Sequence, residues 1–213
     1  MTYAELKSAI QNYLQNSETQ FVSDLPTIIK QAENRILKTV KLPVFRKNVT
    51  GTLTSGNEYL ATPTDFLDNY SLSFTNSSEQ TFLLFKDVNF IREAYPNKST
   101  TGLPKHYAIF DNTSFIVGPT PNSNFTVELH YFYSPTSITA GADSGTTWLS
   151  TNAESALLYG SLLEGYTYMK GEPDIMQMYE KRYEQALARL KTLAEGENTT
   201  DHYRDDSYRV NRS

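Results

Sequence analysis

The 213-residue chain carries a net charge of -5, no cysteine and no basic run of four residues. Disulfides, thiol chemistry and Cys-based zinc sites are therefore excluded, and a grip on duplex DNA through counterion release is disfavoured. Tyr occurs 15 times, and a side chain with an apolar body and a polar tip suits both subunit contact and a half-exposed sheet.

At this length the chain fits one sizeable core, or one core with an inserted subdomain. The first 20 residues lack the basic start and apolar run of a secretory signal, and no stretch approaches about 18 apolar residues. The expectation is a soluble chain, not exported by that route, with no membrane partner.

In chain order, Thr2 and Glu5 stand at capping-box spacing, and Leu6, Ile10, Tyr13 and Leu14 follow at helical intervals. This predicts a helix over about 3–15. A second helix is predicted from a cap at Ser23 or Asp24, with Pro26 in its first turn. Its stripe is Leu25, Ile28, Ile29, Ala32, Ile36 and Val40.

Between Leu42 and Leu149 the hydrophobic period changes from 3.6 to 2 and turn residues accumulate. Strands are predicted at 44–53, 57–61, 70–75, 81–86, 105–110, 113–118 and 125–133, with a short helix over 87–95. Asp111-Asn112 is the expected hairpin connection. Val127, Leu129, Tyr131 and Tyr133 alternate with Glu128, His130 and Phe132, as in a strand with one buried and one wetter face. Residues 136–147 read as a Ser/Thr/Gly-rich linker.

Residues 152–195 carry two helical patterns separated by Gly171-Glu172-Pro173. In the first, Ala153, Ala156 and Gly160 form a small-residue stripe, while Leu158, Leu162, Gly165 and Met169 line the opposite side, so burial on both sides is expected. Gly171 suits a left-handed stop and Pro173 a first helical turn. In the second, Ile175, Met178, Tyr179, Tyr183, Ala186, Leu190 and Leu193 define one face. The predicted class is α+β: an antiparallel helical bundle from 1–41 and 150–196, an inserted antiparallel β-rich subdomain over 42–149, and an extended C-terminal arm over 197–213. That last segment holds one aliphatic residue, Val210, too little to offset about 1–2 kcal/mol of ordering per residue by itself.

Catalytic signatures are sparse. His106, His130 and His202 are far apart and fit no metal-ligand spacing; GxSxG, GxGxxG and a Lys-terminated phosphate loop are missing. No catalytic, cofactor or metal residue is expected. Asp65 and Asp68 flank nothing more suggestive than a turn at Pro63-Thr64-Asp65 that would start a short helical segment. A carbohydrate-binding or host-contact module is the competing reading, with Tyr131 and Trp148 as stacking platforms.

Four patterns in order, DLPTIIKQAENRIL at 24–37, EYLATPTDFLDNYSL at 58–72, HYFYSP at 130–135 and the helical hairpin at 152–195, resemble the head-to-tail adaptors of tailed bacteriophages, the neck ring below the portal also called tail tubular protein A. The resemblance implies a non-enzymatic virion protein of the neck, closed into a ring of about twelve copies of itself. Its partners would be the portal protein and a tail or nozzle protein. The bundle would form the ring wall, duplex DNA would pass an acidic lumen without specific binding, and the C-terminal arm would run along the portal. Tyr203, Arg204, Tyr208, Arg209 and Arg212 would be the portal-binding contacts.

Overall fold

The structure, a computed structural model, describes residues 1–199. Among these the elements run α1 Tyr3–Leu14, α2 Thr19–Thr39, β1 Arg46–Leu53, β2 Tyr59–Ala61, β3 Phe66–Asn76, β4 Glu79–Phe82, β5 Leu84–Phe85, α3 Val88–Ala94, β6 Thr101–Gly102, β7 His106–Asp111, β8 Ser114–Gly118, β9 Thr120–Pro121, β10 Phe125–Tyr133, α4 Trp148–Asn152, α5 Glu154–Tyr168 and α6 Pro173–Thr199. The class is α+β. Two compact units divide the chain: a helical unit of Met1–Pro43 with the residues from Thr136 onward, and a β unit of Val44–Pro135.

In the helical unit, α1 opens on the capping box: the Thr2 N–H donates to Glu5 Oε2 at 2.7 Å and the Glu5 N–H to Thr2 Oγ1 at 3.2 Å. The Tyr3 and Ala4 amides, which a helix start leaves without partners, donate to Gly145 O at 3.0 Å and Asp143 O at 2.9 Å. α2 begins at Thr19, earlier than its sequence suggests, and carries Pro26 inside the helix instead of in its first turn. The reason is Phe21, which is buried and sits 5.9 Å from the Tyr168 ring, extending the apolar stripe one turn upstream of Leu25. That burial offsets the single backbone hydrogen bond that proline removes.

α5 is in contact with α1, α2, α4 and α6. Its glycines make the approach possible: a Cβ on Gly160 would stand 3.1 Å from Tyr183 Cε2 and 3.4 Å from Ala32 Cβ, and one on Gly165 would stand 2.8 Å from Leu14 Cδ1. Leu157 and Leu162 fill the remaining space and are fully buried, each contributing roughly 1.5–3 kcal/mol of transfer free energy.

The turn into α6 corrects one expectation. The left-handed residue is Lys170, at φ 56°, and Gly171 has no positive φ. Glycine is required there for space, because a Cβ would meet Tyr166 Cε1 at 2.2 Å. The buried face of α6 is also rotated from the expected one: Tyr179, Tyr183, Leu187, Leu190 and Ala194 are buried, while Ile175, Met178 and Leu193 are exposed. A 4-4-3-4 spacing describes that stripe better than the first run of apolar residues does.

In the β unit, one sheet has the order β1-β10-β3-β4, all antiparallel, and a second the order β2-β8-β7-β5, in which β5 runs parallel to β7. β6 and β9 form a small parallel pair. Leu53, Leu72, Phe74, Val127, Leu129 and Tyr131 of the first sheet pack with Leu60, Tyr107, Phe115 and Val117 of the second into one buried cluster. On the other face of the second sheet, Ile91 of α3 packs with Ala108 and Ile116. The hairpin loop between β7 and β8 is Asn112-Thr113, since Asp111 pairs with Ser114. The Asp111 carboxylate draws in the Thr113 N–H at 2.7 Å, which closes the turn one residue later than the sequence suggests.

Candidate interaction surfaces

The polar groups inside the β unit are structural. Tyr131 is 2% exposed, and its hydroxyl donates to Asp65 Oδ1 at 2.7 Å, while Lys47 Nζ donates to Asp65 Oδ2 at 2.6 Å. Burial and the hydrogen bond to Asp65 push the Tyr131 hydroxyl up to about 12. For Asp65 burial acts upward, but the bonds from Lys47 and Tyr131 and the lysine charge outweigh it, holding the carboxyl below its ordinary value. A ring packed in the core offers no face to a sugar, which corrects the stacking role expected of Tyr131. Asp65 does not start a helix either: the turn before it leads straight into β3 at Phe66. Lys47 and Tyr131, on β1 and β10, hold it there. Asp68 accepts from the neighbouring Asn69 N–H at 2.9 Å.

A second polar cluster ties α3 to β2. Glu58, with a side chain 12% exposed, lies 3.0 Å from Arg92 Nη1 and 2.9 Å from Lys98 Nζ. Arg92 Nη2 also donates to Tyr59 Oη at 2.9 Å. His106 shares a hydrogen bond with Tyr95 Oη at 2.9 Å and meets the Phe90 ring at 5.1 Å. Burial and the charges of Lys86 and Lys105 hold it below the usual histidine value. His130 lies on the opposite sheet, against the Tyr70 ring at 6.5 Å. Among the described residues no three His, Asp or Glu side chains converge as a metal site, and no helix is long and apolar enough to cross a membrane.

Exposed apolar side chains occur in both units, and two places gather several of them. At one edge of the β unit the chain leaves the first sheet at Phe82 and joins the second at Leu84, turning only Leu83 inward. Phe82, Leu84 and Phe85 stay 62%, 61% and 51% exposed. Sequence reading takes 81–86 as one strand. Four consecutive apolar residues cannot alternate between a buried and a wet face, and that run was the available signal.

The other place is the end of the helical unit where the α1–α2 and α5–α6 turns meet. Asn16 Nδ2 donates to Met169 Sδ at 3.2 Å, and Tyr168 Oη donates to Asp24 Oδ2 at 2.9 Å. Tyr166 packs edge-on to Tyr179 at 5.7 Å, and its hydroxyl accepts from the Glu172 N–H at 3.2 Å. Tyr13, Val22, Tyr168, Ile175 and Met178 are exposed around these turns. The outer face of the first sheet is more polar: Glu128 is bound by Asn48 and by Gln80 Nε2 at 2.8 Å, and Arg46 lies 4.2 Å from the Tyr70 ring centroid.

The five residues expected to bind a portal, Tyr203, Arg204, Tyr208, Arg209 and Arg212, lie outside the described residues. A comparison with curated proteins finds no match. The family model described as SU10 adaptor protein matches residues 1–210, nearly the whole of the 213-residue chain. The chain therefore belongs to the SU10 adaptor protein family, a family of phage adaptors, and is a structural virion protein.

Proposed function

We propose that the protein is a ring-forming head-to-tail adaptor, closing into a neck ring of about twelve copies that docks on the portal and receives a tail or nozzle protein below. Membership of the phage adaptor family over residues 1–210 is the observation that carries this reading. In it, the helices gathered around α5 form a bundle that serves as the ring wall. The C-terminal segment supplies the portal contacts through Tyr203, Arg204, Tyr208, Arg209 and Arg212, the Tyr and Arg types enriched at binding hot spots. The protein's role is assembly and not catalysis. A protomer of net charge -5, repeated around a ring, gives a lumen that repels DNA and lets it slide through at ejection.

Mass and imaging test the proposal. Purified virions should contain this chain at the portal vertex in a closed ring, and deletion of 197–213 should leave a folded protein that no longer joins particles. A chain absent from virions, or a truncated chain retained at full occupancy, would remove the ring reading or the arm's role respectively.

A further inference from the structure

We propose that Lys86, Lys105 and His106, brought together at the β5 edge of the β unit, form a binding site for a phosphomonoester, the group carried by a free nucleotide or by the 5′ end of a nucleic acid strand. The site lies within one unit and stands apart from the adaptor reading.

Strand pairing and ring packing gather the residues. β5 lies parallel to β7 with Leu84 opposite His106, and the Leu84 and Lys86 amides donate to Lys105 O at 2.9 Å and Tyr107 O at 2.8 Å. Lys86 Nζ stands 5.3 Å from the centroid of the Phe90 ring, which meets the His106 ring edge-on at 5.1 Å. Tyr95 Oη, at the end of α3, shares a hydrogen bond with His106 Nδ1 at 2.9 Å and fixes the imidazole. These contacts run unbroken from Lys86 through Phe90 and His106 to Tyr95.

The local charge is positive and uncompensated. The charges that act on His106 are the ammoniums of Lys86 and Lys105, and both disfavour its protonated form. Lys7, Lys47 and Lys98 have carboxylates at 2.7, 2.6 and 2.9 Å, whereas Lys86 and Lys105 have none among the described residues. The neighbouring carboxylates are engaged elsewhere: Asp87 accepts the Asn89 N–H at 2.8 Å as the cap of α3, Asp111 closes the β7–β8 turn, and Glu58 holds Arg92 and Lys98. Glu93 is exposed on α3 and is not among the charges that shift His106. A phosphomonoester brings about two negative charges and three acceptor oxygens, a match for two ammoniums and an imidazole N–H that the single charge of a carboxylate does not give. Phe90 and Leu84, both exposed, add apolar surface beside His106 on which a base can rest.

The test titrates the purified full-length chain with inorganic phosphate, acetate, deoxyadenosine monophosphate and a short DNA single strand with or without a 5′ phosphate, following the His106 ring signals by NMR. Saturable binding of phosphate and the phosphomonoesters in preference to acetate is expected, with the His106 pKa raised by about one unit in the bound state. Lys86→Gln with Lys105→Gln should weaken binding about tenfold, as two exposed ion pairs are lost. The same variant should let His106 titrate higher in the free chain. Both lysines are exposed, so an unchanged melting temperature is expected. A strand that outbinds the mononucleotide only when 5′-phosphorylated assigns the site to a strand end, and a mononucleotide that binds as tightly or better assigns it to a free nucleotide. No saturable binding, acetate bound as tightly as phosphate, a strand indifferent to its 5′ phosphate, or full affinity in the folded double variant would overturn the proposal.

Discussion

The two units bury their interiors by opposite means. Where α5 passes α2 and α6, the helical unit removes side chains: Gly160 leaves 3.1 Å to Tyr183 and 3.4 Å to Ala32. The β unit fills the gap between its sheets with large rings instead. Phe66 lies 5.3 Å from Phe115, Tyr107 5.9 Å from Phe115, and Phe74 4.9 Å from Phe125. Helix axes pack closely when small residues face each other, whereas stacked sheets stand about 10 Å apart and need long side chains to meet. The helical unit should therefore be sensitive to added volume and the β unit to removed volume.

Phe115→Ala breaks the comparison on the β side with the largest expected effect. Phe115 is fully buried, and truncation should cost about 3–5 kcal/mol in denaturant unfolding. Gly160→Val is the counterpart. Its added methyl groups have nowhere to go between Tyr183 and Ala32, and about 3 kcal/mol should be lost despite the better intrinsic helix propensity of valine. Tolerance of Gly160→Val would mean that α5 is not wedged as closely as its glycines indicate.

This contrast also marks how far the sequence could be read. Periodicity and small residues mark the buried faces of α2 and α5 and most of that of α1, where Tyr13 ends 53% exposed, and alternation marks Val127, Leu129 and Tyr131 as inward-facing while it leaves the buried Phe132 on the wetter side. Those signals are local. Depth and partners are not, which is why Ile175 and Met178 fit the pattern of a buried face although they end in solvent. The local pattern puts Asp65 at a helix start because its partners, Lys47 and Tyr131, lie 18 and 66 positions away. The junction of the α1–α2 and α5–α6 turns is invisible because it joins two turns about 150 residues apart, as the Asn16–Met169 bond shows with a separation of 153.

Each unit also holds one informative carboxylate, and the pair sharpens the comparison. Asp65 has a counter-charge at 2.6 Å; Glu33 of α2 has neutral donors instead, the Ile138 N–H at 3.0 Å from Oε1 and the Ser137 side chain, and its Oε2 is buried without a hydrogen-bond partner. Asp65 is accordingly shifted down and Glu33, 4% exposed, is shifted up. Asp65→Asn should cost about 1 kcal/mol at neutral pH, the lower end for a hydrogen bond to a charge because the site is partly solvated. The wild type should lose this contribution as pH falls from about 3.9 through the depressed native value. The Tyr131 hydroxyl, at about 12 in the native state, should titrate lower in the variant, as read by phenolate absorbance, yet remain above about 10 because burial persists.

Glu33→Gln should have the smallest effect at neutral pH and the opposite pH signature. A carboxyl raised in the native state binds its proton more tightly folded than unfolded, so stability falls as pH climbs from about 4.3 towards the raised value. Above that value the full cost of the buried charge is present, and below about 4.3 it is absent. Glutamine keeps the acceptor for Ile138 and removes the charge, so neutral-pH stability should stay within about 1 kcal/mol of wild type. The decline with pH attributable to Glu33 should vanish, a slope of at most about 1.4 kcal/mol per pH unit for one proton. Unfolding curves collected across that window in both chains measure it. An unchanged slope in Glu33→Gln would show that Ser137 and the Ile138 N–H, which pull the Glu33 pKa down, match its burial, and that a neutral donor can serve the helical unit as Lys47 serves the β unit.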